Sequence, residues 1–270
     1  MFAPAEHQPA SRSSLMEPEL RKAVARRRFE LHYQPIVNVA RGTTVALEAL
    51  VRWKDPIRGL IFPDDFIDVA EQTGLIVPIG LLILDAACRE ARRWHDLGFE
   101  IPVSVNVSAR QLDSKAFLQS VYRALNLSGL PPTSLWLEIT ETSIMSDVDA
   151  IVEMIVALRA RGVKIVIDDF GTGYSSLGRL KAFPVDVLKI DRCFVKDLPG
   201  REVDRAVIAA ILAVAKSCDM TVVGEGVEEF AQLDALQTLG CDLMQGFHFA
   251  RPLPAASIIF PALSSYQPVA

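Results

Sequence analysis

Ile165-Val166-Ile167-Asp168-Asp169 sets three branched aliphatic residues in a row and then two carboxylates. A run of Val, Ile and Leu with little alternation is how a strand buried on both faces reads. Acids where such a strand stops are costly unless they line a site. Six other segments repeat the arrangement: Val45-Ala46-Leu47-Glu48-Ala49-Leu50, Val103-Ser104-Val105-Asn106, Leu135-Trp136-Leu137-Glu138, Val187-Leu188-Lys189-Ile190-Asp191, Val222-Val223-Gly224-Glu225 and Leu243-Met244-Gln245. In a barrel of parallel strands every C-terminal end opens onto one face, so these groups would converge. An open, doubly wound sheet gathers its site near a single switch point. With nearly every strand contributing a polar end, a closed barrel is the expected fold.

Outward from these strands, residues 29–37 alternate and turn at Arg41-Gly42 into 43–50, which makes the chain begin with a β-hairpin. Helices are expected over 17–28, 79–97, 114–127, 147–161, 176–183, 201–218 and 228–239. Gly98, Gly129, Gly162, Pro184 and Gly240 stand where helices stop. Strand and helix in alternation imply βαβ units. No linker or repeat breaks the chain, so residues 1–16 read as a flexible leader, 17–260 as one domain and 261–270 as a C-terminal tail.

The 270 residues suit one large α/β barrel, and a composition of 50% hydrophobic and 23% charged residues supplies its core. A net charge of −5 argues against binding polymeric nucleic acid, which needs a basic surface. It leaves room for a small anionic substrate, because bound divalent cations invert the local field. Cys88, Cys193, Cys218 and Cys241 are far apart and form no paired spacing, as expected of reduced thiols. Nothing approaches a membrane-spanning length of apolar residues, and the first fourteen residues lack the apolar stretch of a secretion signal. A cytoplasmic protein that does not insert into membranes is expected.

Glu48, Asn106, Glu138, Asp168 and Asp169 offer oxygen alone, with no His or Cys among them. Such a set suits Mg²⁺ or Mn²⁺ rather than zinc or copper. Adjacent aspartates repel each other and need a strong positive partner. Two ions about 3.5–4 Å apart would provide it and could clamp a displacement at phosphorus. One such residue alone would pass for a cap or a structural hydrogen bond; five on successive strand ends point to a metal site. Lys189 among acids is a charge partner able to orient water or phosphate, and Glu225 and Gln245 sit where they could meet the substrate or its water. Arg52, just past Glu48, could grip a phosphate. The loop Asp168-Asp169-Phe170-Gly171-Thr172-Gly173 could form an anion nest or a mobile lid, and Glu141 could brace it. No Walker-type phosphate loop, GxSxG elbow or HExxH motif is present, and the four histidines lack ligand spacing.

These motifs, taken in order, resemble the EAL-domain family of cyclic di-GMP phosphodiesterases. The naming tripeptide is Glu48-Ala49-Leu50, continuing as Val51-Arg52-Trp53, with Tyr33-Gln34-Pro35-Ile36-Val37 ahead of it. Behind it stand Asn106-Val107-Ser108, Glu138-Ile139-Thr140-Glu141, Asp168-Asp169-Phe170-Gly171, Leu188-Lys189-Ile190-Asp191, Gly224-Glu225-Gly226-Val227-Glu228 and Met244-Gln245-Gly246. The resemblance covers about 17–254 and implies a modified TIM (β/α)8 barrel with an antiparallel first strand. It implies hydrolysis of cyclic di-GMP to linear pGpG by a homodimer. It assigns Glu48, Asn106, Glu138 and Asp168 to a first metal, and Asp168 with Asp169 to a second. Lys189 and Glu225 then handle the attacking water, Gln34 and Arg52 contact substrate, Gln245 supports the site, and Glu141 holds the glycine-containing loop. Phe247-His248 and Glu229 depart slightly from the family pattern and remove no proposed ligand. The rival readings are a non-catalytic cyclic di-GMP receptor, which could lose Glu48, Asp168 or Lys189 without penalty, and an interaction module without nucleotide. The latter would leave clustered acids uncompensated.

Overall fold

A computed structural model describes residues 12–114, 116–144, 148–171 and 183–258. Its strands are β1 (Phe29–Asn38), β2 (Thr43–Asp55), β3 (Gly59–Ile61), β4 (Val103–Val107), β5 (Leu135–Thr140), β6 (Lys164–Phe170), β7 (Val187–Ile190), β8 (Thr221–Gly224), β9 (Leu243–Met244) and β10 (Leu253–Pro254). β2, β4, β5, β6, β7, β8 and β9 pair in parallel in that order, and β1 closes the ring by pairing antiparallel with both β9 and β2. The result is a closed barrel of eight strands whose first strand runs against the rest, as the motifs implied. β3 and β10 extend the wall on β2 and β1.

The helices are α1 (Arg12–Ala25), α2 (Pro63–Thr73), α3 (Ile76–Asp96), α4 (Ala109–Leu112), α5 (Phe117–Ser128), α6 (Glu141–Ile144), α7 (Val148–Ala160), α8 (Arg192–Val195), α9 (Glu202–Ser217) and α10 (Phe230–Thr238). The longest shows why they pack as they do. In α3 the buried Ile79, Ile83, Ala87, Ala91 and Trp94 recur every three or four residues and form one apolar stripe. The helix expected over 17–28 begins at Arg12, inside the span read as leader, and α2 was not expected at all. Proline at its start and Gly74 in the left-handed region (φ 77°) at its end are nonetheless ordinary helix boundaries. The helix expected over 176–183 and the tail 261–270 lie outside the described residues, apart from Phe183.

Side chains alternate across each strand, and this splits the apolar residues into two populations. Leu47, Val105, Leu137, Ile167 and Leu188 face the helices within the main core. Ile36, Ala46, Trp136, Val166, Val187, Val223 and Leu243 form a separate cluster that fills the barrel itself. Two positions further toward the mouth stand Gln34, Glu48, Glu138, Asp168 and Lys189 on the strands, with Glu225 and Gln245 just past the ends of β8 and β9. The barrel interior is therefore an apolar floor carrying a polar layer. Glu48 was expected at a strand end, but β2 continues to Asp55, so Glu48 stands in mid-strand, opposite Gln34. The layer lies below the rim because β2 is long.

Candidate active site

Lys189 lies at the centre of the polar layer and is 1% exposed. Its Nζ is 2.5 Å from Glu225 Oε1, 2.8 Å from Glu138 Oε2, 3.3 Å from Glu48 Oε2 and 3.6 Å from Asp168 Oδ1. Burial works against the ammonium, but the acids Asp168, Glu138, Glu225 and Glu48 outweigh it and hold its pKa well above the usual lysine value. Burial would likewise raise Glu48, yet Lys189 and hydrogen bonds from Gln245 and Asn106 bring it below the usual carboxylate range. Glu138 goes the other way: burial and the neighbouring Glu48 push it well above that range, against the pull of Lys189. Without a further cation, one ammonium cannot keep so many buried acids ionised.

Each acid is held in place. Asn106 Nδ2 donates to Glu48 Oε1 and Gln245 Nε2 to Glu48 Oε2, both at 2.7 Å. Ser104 Oγ donates to Glu138 Oε1 at 2.6 Å. Asp168 and Asp169 sit on a bulge where the β6–β7 register shifts between Ile167 and Phe170, and Asp169 takes a left-handed φ of 54°. That conformation is uncommon for a residue with a side chain, Asp being among those that adopt it. It carries a second carboxylate to the mouth beside the first. Carboxylate oxygens of Asp168, Asp169 and Glu225 all lie within 4.8 Å of one another. Burial, then Asp168 and Asp191, raise Asp169 to about 6. Burial, with Asp168 and Glu48 opposing Lys189, raises Glu225 to about 8. An oxygen triad of this kind fits a hard divalent cation.

The remaining expected residues border this core. Gln34 is buried; its Nε2 donates to Ala250 O at 3.0 Å and its Oε1 accepts from Gln245 Nε2 at 3.2 Å. Arg52, also buried, donates to Val51 O at 2.8 Å and lies 4.9 Å above the Phe62 ring, while its Nε has no partner among the described residues. Glu141 opens α6 and accepts from the Gly171 amide at 2.9 Å, bracing the start of the loop after β6. A side chain at Gly171 would strain a φ of 98° and place its Cβ 2.8 Å from the Phe194 ring. Residues 172–182 lie outside the described residues.

A cavity of about 570 Å³ opens at this end of the barrel, with Leu50, Asp64, Asn106, Ser108, Asp168 and Asp169 in its wall. A larger hollow of about 880 Å³ lies at the opposite end, around Arg41, Lys164, Trp136 and Asp242. It contains none of the clustered acids, and chemistry in such barrels belongs to the C-terminal face.

The EAL domain family model matches residues 17–252. This chain belongs to the EAL domain family. The domain is 46% identical over 242 residues to the bifunctional diguanylate cyclase/cyclic di-GMP phosphodiesterase MucR of Pseudomonas aeruginosa, covering 89% of this chain and 35% of that protein. It is 43% identical over 250 residues to the cyclic di-GMP phosphodiesterase NbdA of the same organism, covering 92% of this chain and 32% of NbdA. The chain thus spans about a third of the length of the curated relatives it matches. Among solved structures, that of the PaMucR phosphodiesterase in complex with c-di-GMP superposes with a TM-score of 0.87 at 45% identity, over 91% of this chain and all of that one (100%).

The EAL domain brings Glu48, Glu138, Asp168 and Glu225 onto Lys189. Glu225, expected beside Lys189, lies against it and also within reach of the two aspartates. Ser104 was missed. Its signal is positional: on β4 it lies two residues below Asn106, and is therefore on the same inward face.

Proposed function

We propose that this EAL domain hydrolyses cyclic di-GMP to linear pGpG, dependent on Mg²⁺ or Mn²⁺. The observation that carries the reading is the convergence of Glu48, Glu138, Asp168, Asp169 and Glu225 around Lys189, in a domain matching a phosphodiesterase–c-di-GMP complex along nearly its whole length. Glu48, Asn106, Glu138, Asp168 and Asp169 would hold the ions, two in the reading preferred here. Bound cations would polarise the scissile phosphate and lower the pKa of water.

The chain's own groups supply orientation and proton handling. Lys189, kept protonated by its acids, serves as a fixed charge and hydrogen-bond donor rather than a base. Glu225, raised to about 8, has the affinity expected of a group that takes a proton near neutral pH. Arg52 presents an unused buried N–H to an anionic substrate, with Gln34 and Gln245 flanking Glu48. Glu141 holds the Gly171 amide just past β6.

The test is a product assay. Purified protein is incubated with cyclic di-GMP and Mg²⁺ or Mn²⁺, with chelated and Glu48→Ala controls, and nucleotides are resolved by chromatography. Metal-dependent pGpG is expected; binding without turnover would make the domain a receptor instead. We also propose a cytoplasmic homodimer. No helix among the described residues is long and apolar enough to cross a membrane, and the family resemblance supports dimerisation. A monomeric mass by light scattering at micromolar concentration would overturn the dimer.

A further inference from the structure

Gln34 and Gln245 are buried amides joined end to end, and the direction of that chain is fixed at one terminus. Ala250 O can only accept, so the amide nitrogen of Gln34 must face it, at 3.0 Å. The Gln34 oxygen then faces Gln245 and can be met only by the Gln245 nitrogen, at 3.2 Å. The same nitrogen donates to Glu48 Oε2 at 2.7 Å. Both hydrogens of the Gln245 amide are thereby used, and its orientation cannot reverse without breaking the chain. What remains is Gln245 Oε1, a buried acceptor with no partner among the described residues. Buried acceptors in folded proteins are met by a donor, and no donor among the described residues meets this one.

We infer that Gln34 is a positioning residue that sets the Gln245 amide so that its oxygen receives an O–H donor during the reaction, either the attacking water or a ribose hydroxyl. The inference deepens the phosphodiesterase reading and rests on it. It also explains what the antiparallel strand contributes: β1 runs Gln34 opposite Glu48 and so carries the register from the Ala250 carbonyl into the acid layer.

The experiment is steady-state turnover of cyclic di-GMP by Gln34→Leu, Gln34→Glu, Gln245→Leu and the Gln34→Leu/Gln245→Leu pair, with folding checked by circular dichroism. Gln34→Leu is expected to lower kcat about 10-fold with KM changed less than about 2-fold, the pattern of an interaction needed in the transition state. Gln34→Glu can remake both bonds only as the neutral acid, donating to Ala250 O and accepting from Gln245, so recovery is expected of that form and not of the carboxylate. The double variant should be no slower than Gln245→Leu alone, since both act through one group. A 2′-deoxy substrate separates the donors: equal sensitivity to Gln34→Leu assigns water, and lost sensitivity assigns the hydroxyl. A raised KM with unchanged kcat, or additive losses in the double variant, would overturn the inference and make Gln34 a direct substrate contact. A wild-type protein that neither binds nor cleaves cyclic di-GMP removes the inference together with the reading beneath it, whereas normal wild-type turnover with an unaffected Gln34→Leu removes the inference alone.

Discussion

Lys189 on β7 and Glu225, just past the end of the neighbouring β8, form the shortest of the four ion pairs around that lysine, 2.5 Å between Nζ and Oε1. The pair is surrounded by further acids, so the lysine holds a cluster together rather than a single partner. Removing it exposes what it holds.

Lys189→Met should destabilise the metal-free domain by about 3–5 kcal/mol, the usual cost of stranding buried charges. Mg²⁺ should restore part of the loss by replacing the missing cation. Urea denaturation with and without Mg²⁺ measures both effects, and a metal-free variant as stable as wild type would refute the arrangement.

The raised carboxyls fix a pH dependence. Asp169 at about 6 and Glu225 at about 8 both prefer the protonated form when folded. Their contribution to stability is full below the ordinary carboxylate range and is lost as pH rises through those values. The metal-free domain should therefore weaken from about pH 4 up to about pH 8, and bound Mg²⁺ or Mn²⁺ should abolish that slope. Metal uptake near neutral pH should release protons. Titration calorimetry in buffers of differing ionisation heat would show it; heats independent of buffer would contradict it.

Ser104→Ala removes the 2.6 Å donor to Glu138 and leaves the backbone undisturbed. Mn²⁺ affinity, read by electron paramagnetic resonance, should fall about 10-fold, as a hydrogen bond to a charged group is worth about 1.5 kcal/mol or more. The loss should vanish in a Glu138→Gln background. Equal losses in both backgrounds would mean that Ser104 acts on something other than Glu138.

Glu48→Ala should reduce pGpG formation by about 100-fold or more, on the scale of deleting an electrostatic catalytic group. The barrel should survive, because the floor beneath it is untouched and one member of a crowded set of acids is gone. Chromatographic turnover near the wild-type rate would overturn the assignment of Glu48.

Much of this was legible in the residues because the barrel repeats itself. Ile165-Val166-Ile167 and its six counterparts announce buried strands, and the polar residue that follows each announces a shared face. The hairpin of β1 and β2 could be read from the turn at Arg41-Gly42, although β2 runs on to Asp55 and leaves Glu48 inside the wall. Three features escaped for physical reasons. The left-handed Asp169 goes with a register shift between β6 and β7, which appears only once the two strands are paired. Ser104 looks like any strand serine until its inward face is known. The grouping of Glu225 with the aspartates requires the ring to be closed.

The apolar floor and the polar layer above it share strands but not tasks. Ile36, Ala46, Trp136, Val166, Val187, Val223 and Leu243 pack with one another, with none of the reactive groups among them. Selection for folding and selection for chemistry therefore act on alternate residues of the same strands. The acids can thus be exchanged one at a time without touching the packing that gives the barrel its shape.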